Sequence, residues 1–355
     1  MSNQTKIPER NGQVPWQKIL LGGLFVAFIW LVISRFNEVQ KLTQTLLQGA
    51  WQWVLAAMAL QVLFYLVFTG TYQTAFFVLD IPSKLLDLIP VMLGSLFVNV
   101  VTPTASTAGA ALFVDDAARR GHSASRAATA MLLQLVADYT AILLVIAVGM
   151  TELFIRHDLQ TYETLSAAIL LLLNLALTSI LLLGIWRPKV MADLLFVLQT
   201  IVNHMGGWLK RPDLLATDWA SRNAAGFRAA SKALTNRPKR LLRLLAITLL
   251  SYSINIASMY ALFRAFGQSV SMGVLIAGFA MGILFRIVSP VPQGIGIVEG
   301  MLTLTYTSLG IPAATATVVS ISFRGITFWL PLFLGFVLIR RTRTFHGADT
   351  AKDLG

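Results

Sequence analysis

The chain has 355 residues, of which 56% are hydrophobic and 12% charged, and its mean hydropathy is +0.71. A soluble domain carries about a quarter charged residues and keeps its apolar patches small, so a water-soluble globule is excluded as the default. The balance of 28 Lys and Arg against 16 Asp and Glu gives +12, and at this hydropathy such a charge points to an anionic membrane surface before nucleic acid.

About 20 apolar residues cross a bilayer as a helix. Ile19–Ile33 is the core of the first such segment; a polar stretch precedes it and no small-residue cleavage site follows, so it reads as a retained span. Trp51–Phe68 is the second, with Trp51 and Trp53 as interfacial aromatics. Leu85–Val101 is a third apolar run, Ala124–Val148 a fourth with Asp138 in its middle, and Leu165–Trp186 a fifth. From Arg187 to Arg243 the character changes: eleven Lys or Arg stand against Asp193, Asp213 and Asp218, interleaved with Phe196, Trp208, Trp219 and Phe227. Basic residues mixed with aromatic and aliphatic ones predict amphipathic helices on the cytoplasmic leaflet. Leu241–Phe263, Met272–Val288 and Pro312–Ile339 complete the apolar runs, the last with Arg324 near its centre. The expected fold is all-α, a polytopic transmembrane helix bundle.

Positive loops stay inside. The basic loop, the start with Lys6, Arg10 and Lys18, and the end with Arg340, Arg341 and Arg343 therefore belong to the cytoplasm, and the acidic loop from Glu152 to Glu163 belongs outside. Counting every apolar run as a full crossing breaks this pattern. The conflict disappears if two runs are re-entrant hairpins. Leu85–Val101 enters from the cytoplasm, turns over Thr102 to Gly109 and returns to Arg119 and Arg120; Met272–Val288 enters from outside, turns over Ser289 to Gly296 and returns near Gly310. Both turns are rich in helix breakers. Six full spans plus two hairpins result, with both termini cytoplasmic.

The two turns also align. Asn99 to Pro103 resembles Arg286 to Pro290, a glycine follows each proline by six positions (Gly109, Gly296), and a second glycine precedes each long helix (Gly121, Gly310). Asp138 and Arg324 then fall 35 and 34 residues after their prolines. The whole chain, 1–355, thus reads as one transmembrane domain: repeat 1 over 45–186 with its hairpin at 84–120, the basic surface segment over 187–240, and repeat 2 over 241–340 with its hairpin at 271–310. Broken helices at matching positions of an inverted repeat predict a transporter-like core with a site at mid-depth.

The run S-P-V-P-Q-G-I-G-I-V-E-G from Ser289 to Gly300, the G-I-P step at Gly310 to Pro312, Phe323 with Arg324, and W-L-P-L from Trp329 to Leu332 resemble the C-terminal signature of one family. That family is the transmembrane region of lysylphosphatidylglycerol synthases and their stand-alone flippase-like relatives. The stretch from Asn99 to Asp138 resembles its N-terminal motif more loosely: the turn here is P-T-A-S-T-A-G, and the acids come later, at Asp115 and Asp116. The resemblance implies lipid translocation across the inner membrane. Only residues 340–355 follow the last span, so the aminoacyltransferase activity of the bifunctional synthases is not implied.

A charge at the centre of a span costs about 2.5–3.5 kcal/mol on insertion scales and persists through a partner or a function. Asp138 and Arg324 are the prime cases. They read either as a structural ion pair, or as a substrate site in which Arg324 meets a lipid phosphate and Asp138 an amine or a coupling proton. Glu299 reads as a first-turn helix acid or a head-group contact, and Arg286 as its neutralising partner or a phosphate holder. Asn99 shares the register of Arg286, and Gly294 and Gly296 set the backbone of the second turn. The absence of Cys and the scatter of His122, His157, His204 and His346 argue against thiolate or histidine metal sites. No hydrolase or P-loop signature appears, so no enzymatic activity and no cofactor are expected.

The expected function is a flippase-like lipid translocase of a bacterial-type inner membrane. Its partners would be membrane lipids, anionic or aminoacylated, with a lipid-modifying enzyme as a further candidate. An ion-coupled small-solute carrier and a non-transporting membrane partner of a lipid-modifying transferase remain open at this point.

Overall fold

The computed structural model describes residues 49–101, 107–155, 161–208, 220, 221, 224, 238–289 and 291–338. The expected first span at Ile19–Ile33, most of the first turn, most of the basic segment beyond Trp208 and both termini lie outside the described residues. The chain is an all-α membrane protein, with no strand among the described residues.

The helices follow the apolar runs. In chain order they are α1 (Trp51–Val78), α2 (Leu85–Val101), α3 (Thr107–Arg119), α4 (Ala124–Ile155), α5 (Thr161–Trp186) and α6 (Pro188–Trp208). Then come α7 (Pro238–Ala265), α8 (Met272–Val288), α9 (Ile297–Ser308), α10 (Ala313–Arg324) and α11 (Leu330–Leu338). A short 3₁₀ turn, Pro292–Gly294, lies between α8 and α9, and a π-helical turn, Gly325–Trp329, joins α10 to α11 as one rod. Among the described residues four helices are long and apolar enough to cross a membrane: 51–78, 124–155, 238–265 and 313–337. Shorter apolar stretches run over Leu85–Val100, Thr164–Ile180 and Met272–Val288. Exposed Leu55, Val62 and Leu63 on α1, Leu165 and Leu172 on α5, and Leu334 and Val337 on α11 form an apolar exterior, which water would disfavour and lipid tails accept.

One constant offset relates the two halves of the chain. Adding 187 to the bounds of α1 (51 and 78) gives those of α7 (238 and 265), and adding 187 to those of α2 (85 and 101) gives those of α8 (272 and 288). The helix ends repeat as well. Asp80 and Gly267 terminate α1 and α7 in the left-handed region, at φ 55° and 71°. Gly121 and Gly310, at φ 82° and 90°, end α3 and α9 with paired backbone bonds back into the last turn. Such a cap satisfies carbonyls that a helix end otherwise leaves bare.

Packing between the halves is reciprocal. The helices α1 and α7 lie against each other; α2 packs on α11, and α8 packs on α4. The two latter contacts use matching positions. Gly335 of α11 presses on the Leu93 carbonyl, and a Cβ at Gly149 of α4 would sit 2.7 Å from the Ala280 Cβ. Leu93 and Ala280 are 187 residues apart, and Gly149 and Gly335 each fall eleven residues after Asp138 and Arg324. Two tyrosines do the same. Tyr65, fourteen residues into α1, donates to the Thr327 carbonyl (2.8 Å), and Tyr252, fourteen residues into α7, donates to Asp138 Oδ1 (2.9 Å). Each ties the first long helix of one half to the last long helix of the other. Lipid tails are as apolar as leucine, so close approach at small residues and interhelical hydrogen bonds hold such a bundle together.

Gly335→Ala is expected to lower the thermal midpoint of the purified protein, because the added methyl meets backbone rather than a movable side chain. Gly300→Ala, where nothing lies within 4 Å of the new Cβ, is expected to leave the midpoint unchanged or raise it, by about 0.5–1 kcal/mol from helix propensity. Equal effects of the two substitutions would contradict this packing.

Candidate functional site: an intramembrane charge cluster

The second turn is built from backbone that only local support makes tolerable. Gln293 adopts φ 54° and Gly294 φ 64°, and Gly296 at φ 82° opens α9. A non-glycine residue in that region costs roughly 1–2 kcal/mol. The support comes from two side chains. Glu299 Oε2 accepts from the Gly296 backbone N–H at 2.7 Å, satisfying a free donor at the helix start. Its Oε1 accepts from Arg324 Nε at 2.8 Å, and Arg324 Nη2 donates to the Gln293 carbonyl at 3.0 Å. The guanidinium also lies over the Phe328 ring, 4.6 Å from its centroid. Arg324 therefore staples the turn to the last long helix, and only 5% of it is exposed.

The π turn begins directly after Arg324. Its wider register leaves carbonyls without their usual α-helical partners, and the Tyr65 hydroxyl takes the one at Thr327. Trp329 and Phe328 meet edge to face at 5.1 Å and are buried beside it. The bulge, the aromatic pair and Tyr65 together fix the azimuth at which Arg324 leaves the helix.

Asp138 lies elsewhere in the cluster. The ion pair between Asp138 and Arg324 that the sequence suggests is not formed: Arg324 is engaged by Glu299, and Asp138 by the Tyr252 hydroxyl. The reason is that each charged helix position is met by the helix packed against it, α9 in one case and α7 in the other. Nor does Arg286 neutralise Glu299, which Arg324 already occupies. Arg286 lies in the last turn of α8, the helix that packs against α4, which carries Asp138. Gly294 lets the turn lie against it: a Cβ there would sit 3.3 Å from the Arg286 Cα. Arg286, Glu299 and Arg324 thus meet at one turn, and Asp138 lies on the helix packed against α8.

Asn99 belongs to the first turn. Its Oδ1 accepts from the Gly109 N–H at 2.8 Å, and its side chain packs directly on Gly109. The matching position in the second half, Arg286, makes no such backbone bond. Tyr65, Tyr252, Phe328 and the Gln293 carbonyl were not singled out in the sequence. The constant offset between the two tyrosines was the available signal, hidden because it needs the helix bounds to be recognised.

The cluster contains two cations and two carboxylates, and no group of three or more His, Cys, Asp or Glu able to hold a metal occurs among the described residues. Charges in an apolar medium are costly and persist through partners or a function. Removing Glu299 isolates the Arg324 charge. Glu299→Gln is expected to destabilise the protein by up to about 3–5 kcal/mol, less in proportion to the partial exposure of Glu299. The double swap Glu299→Arg with Arg324→Glu is expected not to restore the thermal midpoint, since the Gly296 N–H then loses its acceptor and the Gln293 carbonyl its donor. Full recovery on swapping would show that charge alone holds the turn.

A family model described as the lysylphosphatidylglycerol synthase transmembrane region matches residues 18–335. The chain is similar to a UPF0104 membrane protein of Pyrococcus horikoshii, 20% identical over 317 residues that cover 88% of this chain and 94% of that one. A UPF0104 membrane protein of Methanothermobacter thermautotrophicus matches locally, 25% identical over 108 residues, which is 30% of this chain and 31% of that one. The matched region takes in every helix of the charge cluster, and the chain belongs to the lysylphosphatidylglycerol synthase transmembrane-region family of membrane proteins.

Proposed function

We propose that this protein is a flippase-like lipid translocase of the inner membrane, without enzymatic activity, that moves a phospholipid or glycolipid precursor between leaflets. The observation that carries the reading is the meeting of Arg286, Glu299 and Arg324 at one helix break, with Asp138 on the helix packed against α8, inside a bundle whose exterior is apolar. A polar head group crossing the hydrocarbon needs such a path, and its acyl tails need none, because they remain in the surrounding bilayer.

Helix lengths support the re-entrant geometry. At 1.5 Å per residue α2 and α8 are about 25 Å long, short of the roughly 30 Å hydrocarbon core, and α3 and α9, which pack back on them, are shorter still. In this reading 84–120 and 271–310 dip into the membrane from opposite sides, and both termini are cytoplasmic. The halves 45–186 and 241–340 form an inverted repeat, and the basic segment 187–240 gathers anionic lipids at the cytoplasmic surface. The reciprocal contacts of α2 with α11 and of α8 with α4 are then two versions of one joint, and rocking about them opens the path to each leaflet in turn.

Two measurements test the reading. In vesicles containing the purified protein, a fluorescent phosphatidylglycerol placed in one leaflet is expected to reach the other faster than in protein-free vesicles, and Asp138→Asn is expected to change that rate. No acceleration for any anionic or aminoacylated lipid would overturn the translocase. Topology is tested separately, since the chain has no native cysteine. Single cysteines at Ser269 and Ser308 are expected to react with an impermeant thiol reagent from outside intact cells. Those at Lys84 and Ser123 are expected to react only after the membrane is opened. If Lys84 and Ser123 label from opposite sides, α2 and α3 form a full crossing.

A further inference from the structure

We propose that Arg286 is the residue that receives the phosphate of the translocated head group, and that Arg324 holds the turn and takes no substrate. This rests on the translocase reading and assigns different work to its two cations.

The assignment follows from how the donors are used. A guanidinium has five N–H donors in a fixed fork. In Arg324 one edge is taken by Glu299 and Gln293, the face lies on Phe328, and almost none of the side chain is exposed. An anion could bind there only by releasing the turn. Arg286 is half-buried and makes no hydrogen bond or ion pair with another described residue. A charged side chain at this depth is costly unless something answers it. Glu299 is taken by Arg324, and Asp138, on the helix packed against α8, by the Tyr252 hydroxyl, so no described residue occupies the fork of Arg286.

A phosphodiester monoanion matches this set, because two of its oxygens fit one guanidinium edge. Asp138 shapes the outcome. With the site empty it neutralises Arg286, and with the site filled it repels the anion, so binding stays weak enough for release. Arg286 also adjoins the turn at Gly294, where a head group passing the helix break comes within reach.

The test uses the full chain in detergent, incubated with phosphatidylglycerol or phosphatidylcholine, with retained lipid counted by native mass spectrometry and thermal midpoints recorded alongside. Arg286→Gln is expected to reduce phosphatidylglycerol retention at least tenfold at an unchanged midpoint, Arg286→Lys to recover most of it, and Asp138→Asn to increase it severalfold. Wild-type retention in Arg286→Gln overturns the proposal. So does a fall in midpoint in both Arg286→Gln and Arg286→Lys, which marks a structural role. Displacement of phosphatidylglycerol by millimolar inorganic phosphate supports recognition of the phosphate group, whereas binding of phosphate with no retention of phosphatidylglycerol rules out a lipid source. The two readings separate cleanly. Vesicles that move no lipid while Arg286 still governs retention remove the translocase alone, and vesicles that move lipid equally well with Arg286→Gln remove this site alone.

Discussion

The guanidinium of Arg324 is buried inside an apolar bundle, and much of the local architecture answers that single constraint. A charge in such a place needs a counter-charge and hydrogen-bond acceptors at fixed positions. Glu299 supplies the first, and the Gln293 carbonyl the second. Because Glu299 sits one turn into α9 and also accepts from the Gly296 N–H, the same carboxylate starts a helix and neutralises a cation. The left-handed backbone at Gln293 aims its carbonyl at Arg324 and is held there by it. Remove the arginine, and a strained turn, a helix start and a buried acid all lose their support together.

Around this staple the bundle is built twice. Helix bounds, helix caps, the paired tyrosines and the paired glycines recur at offsets of 186 to 189 residues. The contacts cross between halves: Tyr65 of α1 reaches the turn between α10 and α11, Tyr252 of α7 reaches α4, α2 packs on α11, and α8 packs on α4. The chemistry has not stayed symmetric. Asn99 accepts a backbone bond from Gly109, while Arg286, 187 residues further on, bonds to no other described side chain. Asp138 and Arg324, also equivalent, carry opposite charges and find different partners.

The family and the physical reading agree at the level of a membrane protein built from apolar helices. The exterior of α1, α5 and α11 is leucine and valine, whereas Gln61, Thr69, Gln134, Thr248, Ser251, Ser258, Ser320 and Ser322 are buried. Several threonines and serines spend their hydroxyls on carbonyls of the preceding turn, as Thr69 does on Tyr65 and Thr248 on Leu244, which satisfies them locally in a medium without water. Gln134 Nε2 and the Ser320 and Ser322 hydroxyls find no partner among the described residues.

Much of this was legible in the residues alone. Apolar runs of the right length determined the long helices, because a bilayer demands them. Pro and Gly at 290, 294 and 296 determined where the second run breaks, because backbone that cannot stay helical must turn. The matched glycines at 109 and 296, and at 121 and 310, gave the repeat its register. What the sequence did not determine was which charge meets which. Asp138 and Arg324 look like partners because they occupy equivalent depths, yet equivalent positions in two halves need not face each other. Pairing depends on helix azimuth and on which helix lies alongside, and both come from packing: the π turn after Arg324, the close approaches at Gly149 and Gly335, and the lie of α7 on α1. Only the tertiary structure, which fixes those rotations, decided that Glu299 would take Arg324, that Tyr252 would take Asp138, and that Arg286 would be left with its hand free.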